Sequence, residues 1–405
     1  MNALFVDIIT TQLLALFPGA DVLFPPQPGI PAKGRNNASL GNGNLSLIIR
    51  EDIATTNDYL IVKRQQFFSL IESNVADWFI KELIFIDYLT IKDEYKSSIF
   101  ERCIEIAIIK SLTSNSKPIE SVIDLCKYWT TRTYEGSSTS FSIKVPFHIK
   151  DFPNRLSHFK EDYFASITNG YEDCIVLGSQ GQILQHRFLD DYDANSDAPF
   201  RFLKIAKFSG TGIIVVLTRT GDILIFSQEN LLWAKKNGRW VYYDHATCKK
   251  LIAGGSRKTQ EYIRHSMYLT ALDVSFTKTG GILACVDAGK VAKMISDDIL
   301  DENDLVETSL TNKASAVRSL ILGKDFPMLH RSLRAELTSM DGAFIFDTNG
   351  KIVAIGAIIK IPGGSNSGGR LAATKELSKY GTAIKISNDA YIDCYRNSNR
   401  LFYIS

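Results

Sequence analysis

Apolar residues recur at helical spacing across Asp58–Lys127, most regularly around Trp78–Tyr88 and Ile99–Leu112, and predict helices there. Leu4–Phe17 carries a shorter amphipathic pattern of the same period. Between these, Pro18–Gly43 holds four prolines after Phe24, several glycines and Asn-Gly pairs, and reads as a long loop or arm. From about Thr133 the period changes. Short β-prone runs follow one another at Ser140–Val145, Cys174–Leu177, Gly212–Leu217, Asp222–Phe226, Leu231–Lys235 and Trp240–Tyr243. Gly221-Asp222 and Asn237-Gly238 sit between the later runs as hairpin turns, so the stretch reads as a β-meander packed on Trp233, Trp240 and its tyrosines.

Near Gly254 the pattern changes again. Residues 256–280 read as a helix, and the glycine pair 280–281 opens a short buried strand. Residues 288–340 read as mostly helical and charged. The chain then alternates. Strands are expected at Ala343–Asp347 and Ile352–Ile359 around an Asn349-Gly350 turn. A Gly/Ser loop at 363–369, a helix over Leu371–Tyr380, and strands at Thr382–Ser387 and Tyr391–Tyr395 follow. Strands alternating with helices imply an α/β layer architecture. Three regions are expected: mostly helical 1–132, β-rich 133–255, and an α/β domain 256–405 whose mixed sheet is flanked by helices.

Composition adds only limits. The chain has 405 residues, 45% hydrophobic and 22% charged, as in ordinary globular proteins. A net charge of +2 gives no pull toward nucleic acid or an anionic membrane. No apolar run reaches the roughly 20 residues that span a bilayer. In 77–93, Asp77, Lys81, Glu82, Asp87 and Lys92 interrupt the apolar positions. Met1–Ala20 lacks the basic start of a signal peptide. The six cysteines form no CxxC pair and have no zinc-ligand spacing, so they are expected to be buried thiols of a cytoplasmic protein.

Two features carry chemistry. The loop GGSNSGGR at 363–370 combines glycines, which let backbone approach a ligand, with the start of a helix and with Arg370. That is a phosphate cradle or, equally, a flexible loop; it lacks the ending of a Walker A motif. Asp341-Gly342-Ala343 places an acid at the start of a buried strand. A carboxylate there either caps a strand or helix end or has a strong partner, of which a divalent ion with substrate phosphates is one.

With both features in place, ELTSMDGAFIFDTNGKIVAIGAIIKIP followed by SGGRLAATKELSKYGTAIKISNDAYIDCY resembles the diadenylate cyclase domain. Upstream, YLTALDVSFTKTGGILACVD is similar to the helix and first strand that open such domains. The resemblance covers about the last third of the chain. It implies a nucleotidyltransferase that condenses two ATP molecules, or related nucleotides, into a cyclic dinucleotide. Mg²⁺ or Mn²⁺ is the implied ion, and two such domains would face each other in a homo-oligomer. Asp341 matches the acid that binds the metal and helps activate the ribose 3′-hydroxyl. Gly342 and Ala343 match small residues that leave room for the nucleotide, and the backbone near Ala357 and Ile359 falls where adenine is held. Arg370 matches one arginine of a phosphate-gripping Arg-His-Arg motif, and Asp389 an acid near the metal.

The chain departs from that pattern. Counted one way, Gly368 and Gly369 replace the first arginine and the histidine; counted the other, Leu371 and Ala372 replace the last two members. A Ser-Glu-Glu-like segment is Ser387-Asn388-Asp389. The alternative to the enzyme is therefore a degenerate cyclase domain that binds a nucleotide signal without catalysis. Related proteins place sensor modules before the cyclase. Residues 1–255 are expected either to sense an unidentified ligand or partner or to serve as an assembly scaffold.

Overall fold

The computed structural model describes residues 9–23, 39–41, 44–46, 60–62, 68–86, 91–147, 156–190, 196–253, 258–301, 311–361 and 368–404. These form α-helices and mixed sheets, an α/β protein in two compact units. One comprises Met1–Asp197 with Phe202–Asp244, the other Ala198–Arg201 with His245–Ser405. Residues 1–132 and nearly all of 133–255 thus share the first unit.

In the first unit, helices α1 (Leu70–Phe85), α2 (Asp93–Leu112) and α3 (Lys117–Thr130) bear out the helical pattern from Leu70 onward, whereas Leu60–Val62, inside the stretch expected to be helical, is a strand. Pro118 stands in the first turn of α3, where its missing N–H has no partner to lose. At the start of the chain the described part of Leu4–Phe17 is not α-helix but a π turn, Ile9–Leu13, and a 3₁₀ turn, Leu14–Leu16. The segment read as an arm carries short strands at Asp21–Leu23 and Ser39–Gly41, which join Asn44–Ser46 and Leu60–Val62 in a four-stranded sheet. Residues 24–38 of that arm lie outside the described residues.

The meander is a seven-stranded sheet. Its strands are β1 (Phe141–Pro146), β2 (Asp173–Leu177), β3 (Ile183–Phe188), β4 (Gly212–Leu217), β5 (Ile223–Ser227), β6 (Asn230–Lys236) and β7 (Arg239–Tyr242), in the order β7-β6-β5-β4-β1-β2-β3. Only β1 and β2 run parallel. Asn237 and Gly238 both take positive φ, the turn that matches strand twist in a two-residue hairpin. Trp233, Trp240 and Tyr242 are buried, and the Trp233 and Tyr242 rings lie 4.7 Å apart. They share one core with Phe79, Phe100 and Trp129 of the helices.

In the second unit, α4 (His245–Ala253) and α5 (Lys258–Thr277) lead into the central strand β8 (Gly281–Val286). Short strands β9 (Ile295–Asp297) and β10 (Leu300–Asp301) follow, then α6 (Asn312–Ile321) and α7 (Arg331–Thr338). The expectation of a mostly helical 288–340 is corrected by β9 and β10, which become strands because both pair with a strand much later in the chain. That strand is β12 (Ile352–Ile359), antiparallel to β11 (Ala343–Phe346). Helix α8 (Gly369–Ser378) starts two residues before the expected Leu371. Strands β13 (Gly381–Ile386), β14 (Ile392–Arg396) and β15 (Asn399–Ile404) complete the sheet, in the order β9-β12-β11-β8-β13-β14-β15.

The sheet's two faces divide by alternation. Ile282, Ala284, Ala343, Ile345 and Ala383 pack with Ala373 and Leu377 of α8. On the other face Phe326 stacks on Phe346, centroids 4.0 Å apart, and meets Phe344 edge-on. Each fully buried side chain of this size contributes about 1.5–3 kcal/mol over leaving it in water. All six cysteines are buried thiols, as expected. No helix among the described residues is long and apolar enough to cross a membrane.

Candidate functional site

The strand register gathers the candidate residues at one end of the second sheet. β8 and β11 run parallel with Ile282 beside Ala343, so Gly280-Gly281 lies next to Asp341-Gly342. β13 runs antiparallel to β8 with Ile386 beside Gly281, which brings the turn Ser387–Ala390 to the same end. β12 pairs Ala357 with Ala343 and so delivers its C-terminal end there as well. Helix α8 also begins at this end. The Arg370 guanidinium donates to Asn388 Oδ1 at 2.7 Å.

Gly280 makes that hydrogen bond possible. Its φ is +73°, and a Cβ there would fall on the Asn388 side chain and within 2.5 Å of Arg370 Nη1. The turn carrying Asn388 and Asp389 is held by Ser387, whose Oγ accepts from Tyr391 N at 3.2 Å and whose carbonyl accepts from Ala390 N. Ala390 takes φ +70°, a left-handed conformation that costs a non-glycine residue energy. Asn388 and Asp389 both stand exposed.

Asp341 is exposed too. No desolvation cost therefore demands a cation beside it, and its Oδ1 accepts a hydrogen bond from the Gly342 N–H at 3.1 Å. Gly342 has φ +95°, and a Cβ there would meet the Gly356 carbonyl oxygen at 2.5 Å and Ala357 N at 2.8 Å. Its missing side chain makes room for the backbone of β12. Gly356 is its counterpart, with φ +67° at a bulge where two residues of β12, Ile355 and Gly356, oppose the single Phe344 between the pairs Ile345–Ala354 and Ala343–Ala357. Ala343 and Ala357 are buried in the core under α8, so neither side chain faces a ligand. Ile359 pairs with Ile295 of β9, and the Ile358 carbonyl accepts from Ser296 Oγ at 3.0 Å. The edge of β12 proposed to hold adenine is thus lined by β9.

Gly368, at φ +85°, is the N-cap of α8. Among the described residues, a Cβ on Gly368 or Gly369 would meet nothing within 4 Å. Residues 363–367 of the candidate phosphate loop lie outside the described residues. Among the described residues no group of three or more His, Cys, Asp or Glu side chains is arranged to hold a metal ion. Asp341 and Asp389 offer two exposed carboxylates at the same sheet end. Such hard oxygen donors suit Mg²⁺ or Mn²⁺ when substrate phosphates complete the shell.

Behind this end lies a buried polar cluster that sequence reading missed. Asp273 of α5 takes Arg331 of α7 in a two-point ion pair, Nε to Oδ2 at 2.6 Å and Nη2 to Oδ1 at 2.9 Å. Burial pushes the Asp273 pKa up, against the pull of Arg331. Burial, with the charge of Arg331, lowers Arg334 to about 10. Nothing local in the sequence marks these residues, because their partners stand far apart in it. No known family model matches the chain, and no curated protein is similar enough to count as a relative.

Proposed function

We propose that the second unit is a nucleotide-binding module of diadenylate cyclase type, which condenses two ATP molecules into a cyclic dinucleotide. One observation carries this reading. Asp341, Arg370 and the Ser387–Asp389 turn, which lie far apart in the sequence, meet at one end of a mixed sheet beside the N-terminus of α8. Each ribose 3′-hydroxyl attacks the α-phosphorus of the other ATP, two P–O bonds form, and two pyrophosphates leave. Two units must face each other, since each binds one ATP. Asp341 orients the 3′-hydroxyl, and Arg370 with the N–H groups of α8 binds phosphate oxygens. Asp341 and Asp389 would hold a divalent ion, which when bound supplies charge neutralisation at the phosphates.

A second reading is favoured by a specific observation. Glycines stand at 368 and 369, and Arg370 is engaged by Asn388. One arginine is little charge for transition-state stabilisation, and a site so equipped suits binding a cyclic dinucleotide without making one. A polar cavity of about 400 Å³ in the first unit, lined by Ser137, Ser138, Ser140, Thr168 and Arg219, supports a sensing role for that unit in either case. Incubation of the purified chain with ATP or mixed nucleoside triphosphates and Mg²⁺ or Mn²⁺, followed by mass spectrometry, separates the readings. A cyclic product that disappears in Asp341→Asn supports the enzyme. Tight binding of a cyclic dinucleotide with no turnover supports the sensor. Neither product nor binding would discard both.

A further inference from the structure

The second unit holds a partly open cavity of about 380 Å³ that reaches Thr279 and Ser339, beside Gly280 and two residues from Asp341. One wall is Pro199-Phe200-Arg201; the others are the C-terminal half of α5 and the outer side of α7. The wall segment is a strap fixed at two points by the buried ion pair. The Phe200 N–H donates to Asp273 Oδ1 at 2.7 Å, and Arg331 Nη2 donates to the Ala198 carbonyl. The Phe200 ring meets His330 edge-on at 5.4 Å.

The chemistry of the lining selects the occupant. The volume lies at the lower end of small-molecule pockets, roughly 300–1,000 Å³. Phe200, Phe276, Pro199 and Ala335 give it apolar surface suited to a ring. The buried carboxylate on the wall, Asp273, is already paired with Arg331, and the other charged lining residues, Arg201 and Glu336, are exposed, so the buried part of the wall offers no unpaired counter-ion.

The far wall carries a chain of hydroxyls in mutual contact. Thr277 Oγ1 donates to the Val274 carbonyl at 2.9 Å and lies 2.9 Å from Thr279 Oγ1. Thr279 Oγ1 lies 2.7 Å from Ser339 Oγ, which donates to the Ala335 carbonyl at 2.8 Å. Each of the three hydroxyl oxygens carries one proton and two lone pairs, so the chain keeps lone pairs able to accept from a ligand.

We propose that this cavity binds a small, neutral, ring-bearing molecule with one N–H or O–H donor, which rests against Phe200 and Phe276 and donates to the Thr277–Thr279–Ser339 chain. This does not depend on the nucleotide reading. The test uses 5-fluoroindole as the probe, followed by ¹⁹F NMR on the full chain. Saturable binding is expected, and the N-methylated probe, which lacks the donor, should bind several-fold more weakly. Ala335→Phe, which fills the cavity, should weaken 5-fluoroindole by about tenfold or more. Ser332→Tyr, at the more exposed rim, provides the same block should Ala335→Phe not fold by circular dichroism. No saturable binding to the wild type, or undiminished binding to a folded blocking variant, overturns the proposal. Equal binding of the two probes overturns the donor assignment.

Discussion

Arg370 and Asn388 join the first turn of α8 to the β13–β14 turn through a 2.7 Å hydrogen bond that passes over Gly280. The bond fixes where the guanidinium stands before any ligand arrives. A guanidinium held in this way loses little rotamer freedom on meeting a phosphate.

Arg370→Ala should therefore weaken binding of ATP or a cyclic dinucleotide by about tenfold or more, since a charge-assisted contact is worth roughly 1.5–3 kcal/mol. Arg370 is exposed, so the unfolding midpoint should hardly change. Calorimetric titration with each nucleotide in Mg²⁺, beside a thermal melt, reads both quantities. Unchanged affinity would remove Arg370 from the site.

Asp341→Asn separates chemistry from structure. The side chain is exposed and its only described hydrogen bond is to its neighbour's N–H, which an asparagine oxygen also accepts. Stability should move by no more than about 0.5 kcal/mol. Metal-dependent nucleotide binding, followed by titrating Mn²⁺ at fixed ATP, should be lost.

Gly342→Ala should act on the fold itself. It forces a side chain into φ +95° and against the Gly356–Ala357 backbone. The combined strain and overpacking cost about 2–4 kcal/mol, visible as a lowered urea midpoint. An unshifted midpoint would mean that β12 can retreat.

The buried pair makes a prediction with a definite pH sign. The folded-state pKa of Asp273 is raised above its unfolded value, chiefly by burial. Its contribution to stability is then fully present below the unfolded pKa and falls as pH rises through the folded one. Arg331→Met removes the opposing cation, so the folded pKa climbs further. Urea unfolding from pH 4 to 7 should show the variant losing stability more steeply with rising pH than the wild type. At neutral pH the variant should be less stable by about 3–5 kcal/mol, the usual cost of stranding one member of a buried pair. Parallel pH profiles would contradict this.

The thiols give a check on packing. Burial pushes Cys285 up to about 11 and Cys103 up to about 12. Neither they nor the other four should react with a disulfide reagent at neutral pH in the native chain, and all six should react in denaturant. A fast native reaction at any of them would show that its surroundings open.

What was legible in the sequence was local. Asn237-Gly238 announced its hairpin, the alternation after Thr133 announced the meander, and Asp341-Gly342 marked the sheet end where the candidate residues meet. What was not legible depended on partners remote in the chain. β9 and β10 are too short to show a period and exist because β12 offers them an edge. Gly342 read as space for a ligand, whereas its space is taken by Gly356, a residue whose own need for positive φ appears only at the bulge. Asp273 has no local signature in the sequence, and its role follows only from Arg331, 58 residues further on.

The two-point clamp on Ala198–Arg201 bears on how the protein can be divided. A fragment starting at His245 would keep every strand of the second sheet and every residue of the candidate nucleotide site. It would also leave the Arg331 guanidinium without the Ala198 carbonyl, Asp273 without the Phe200 N–H, and the cavity without one wall. The second unit is therefore complete in space only when it carries four residues whose codons lie among those of the first.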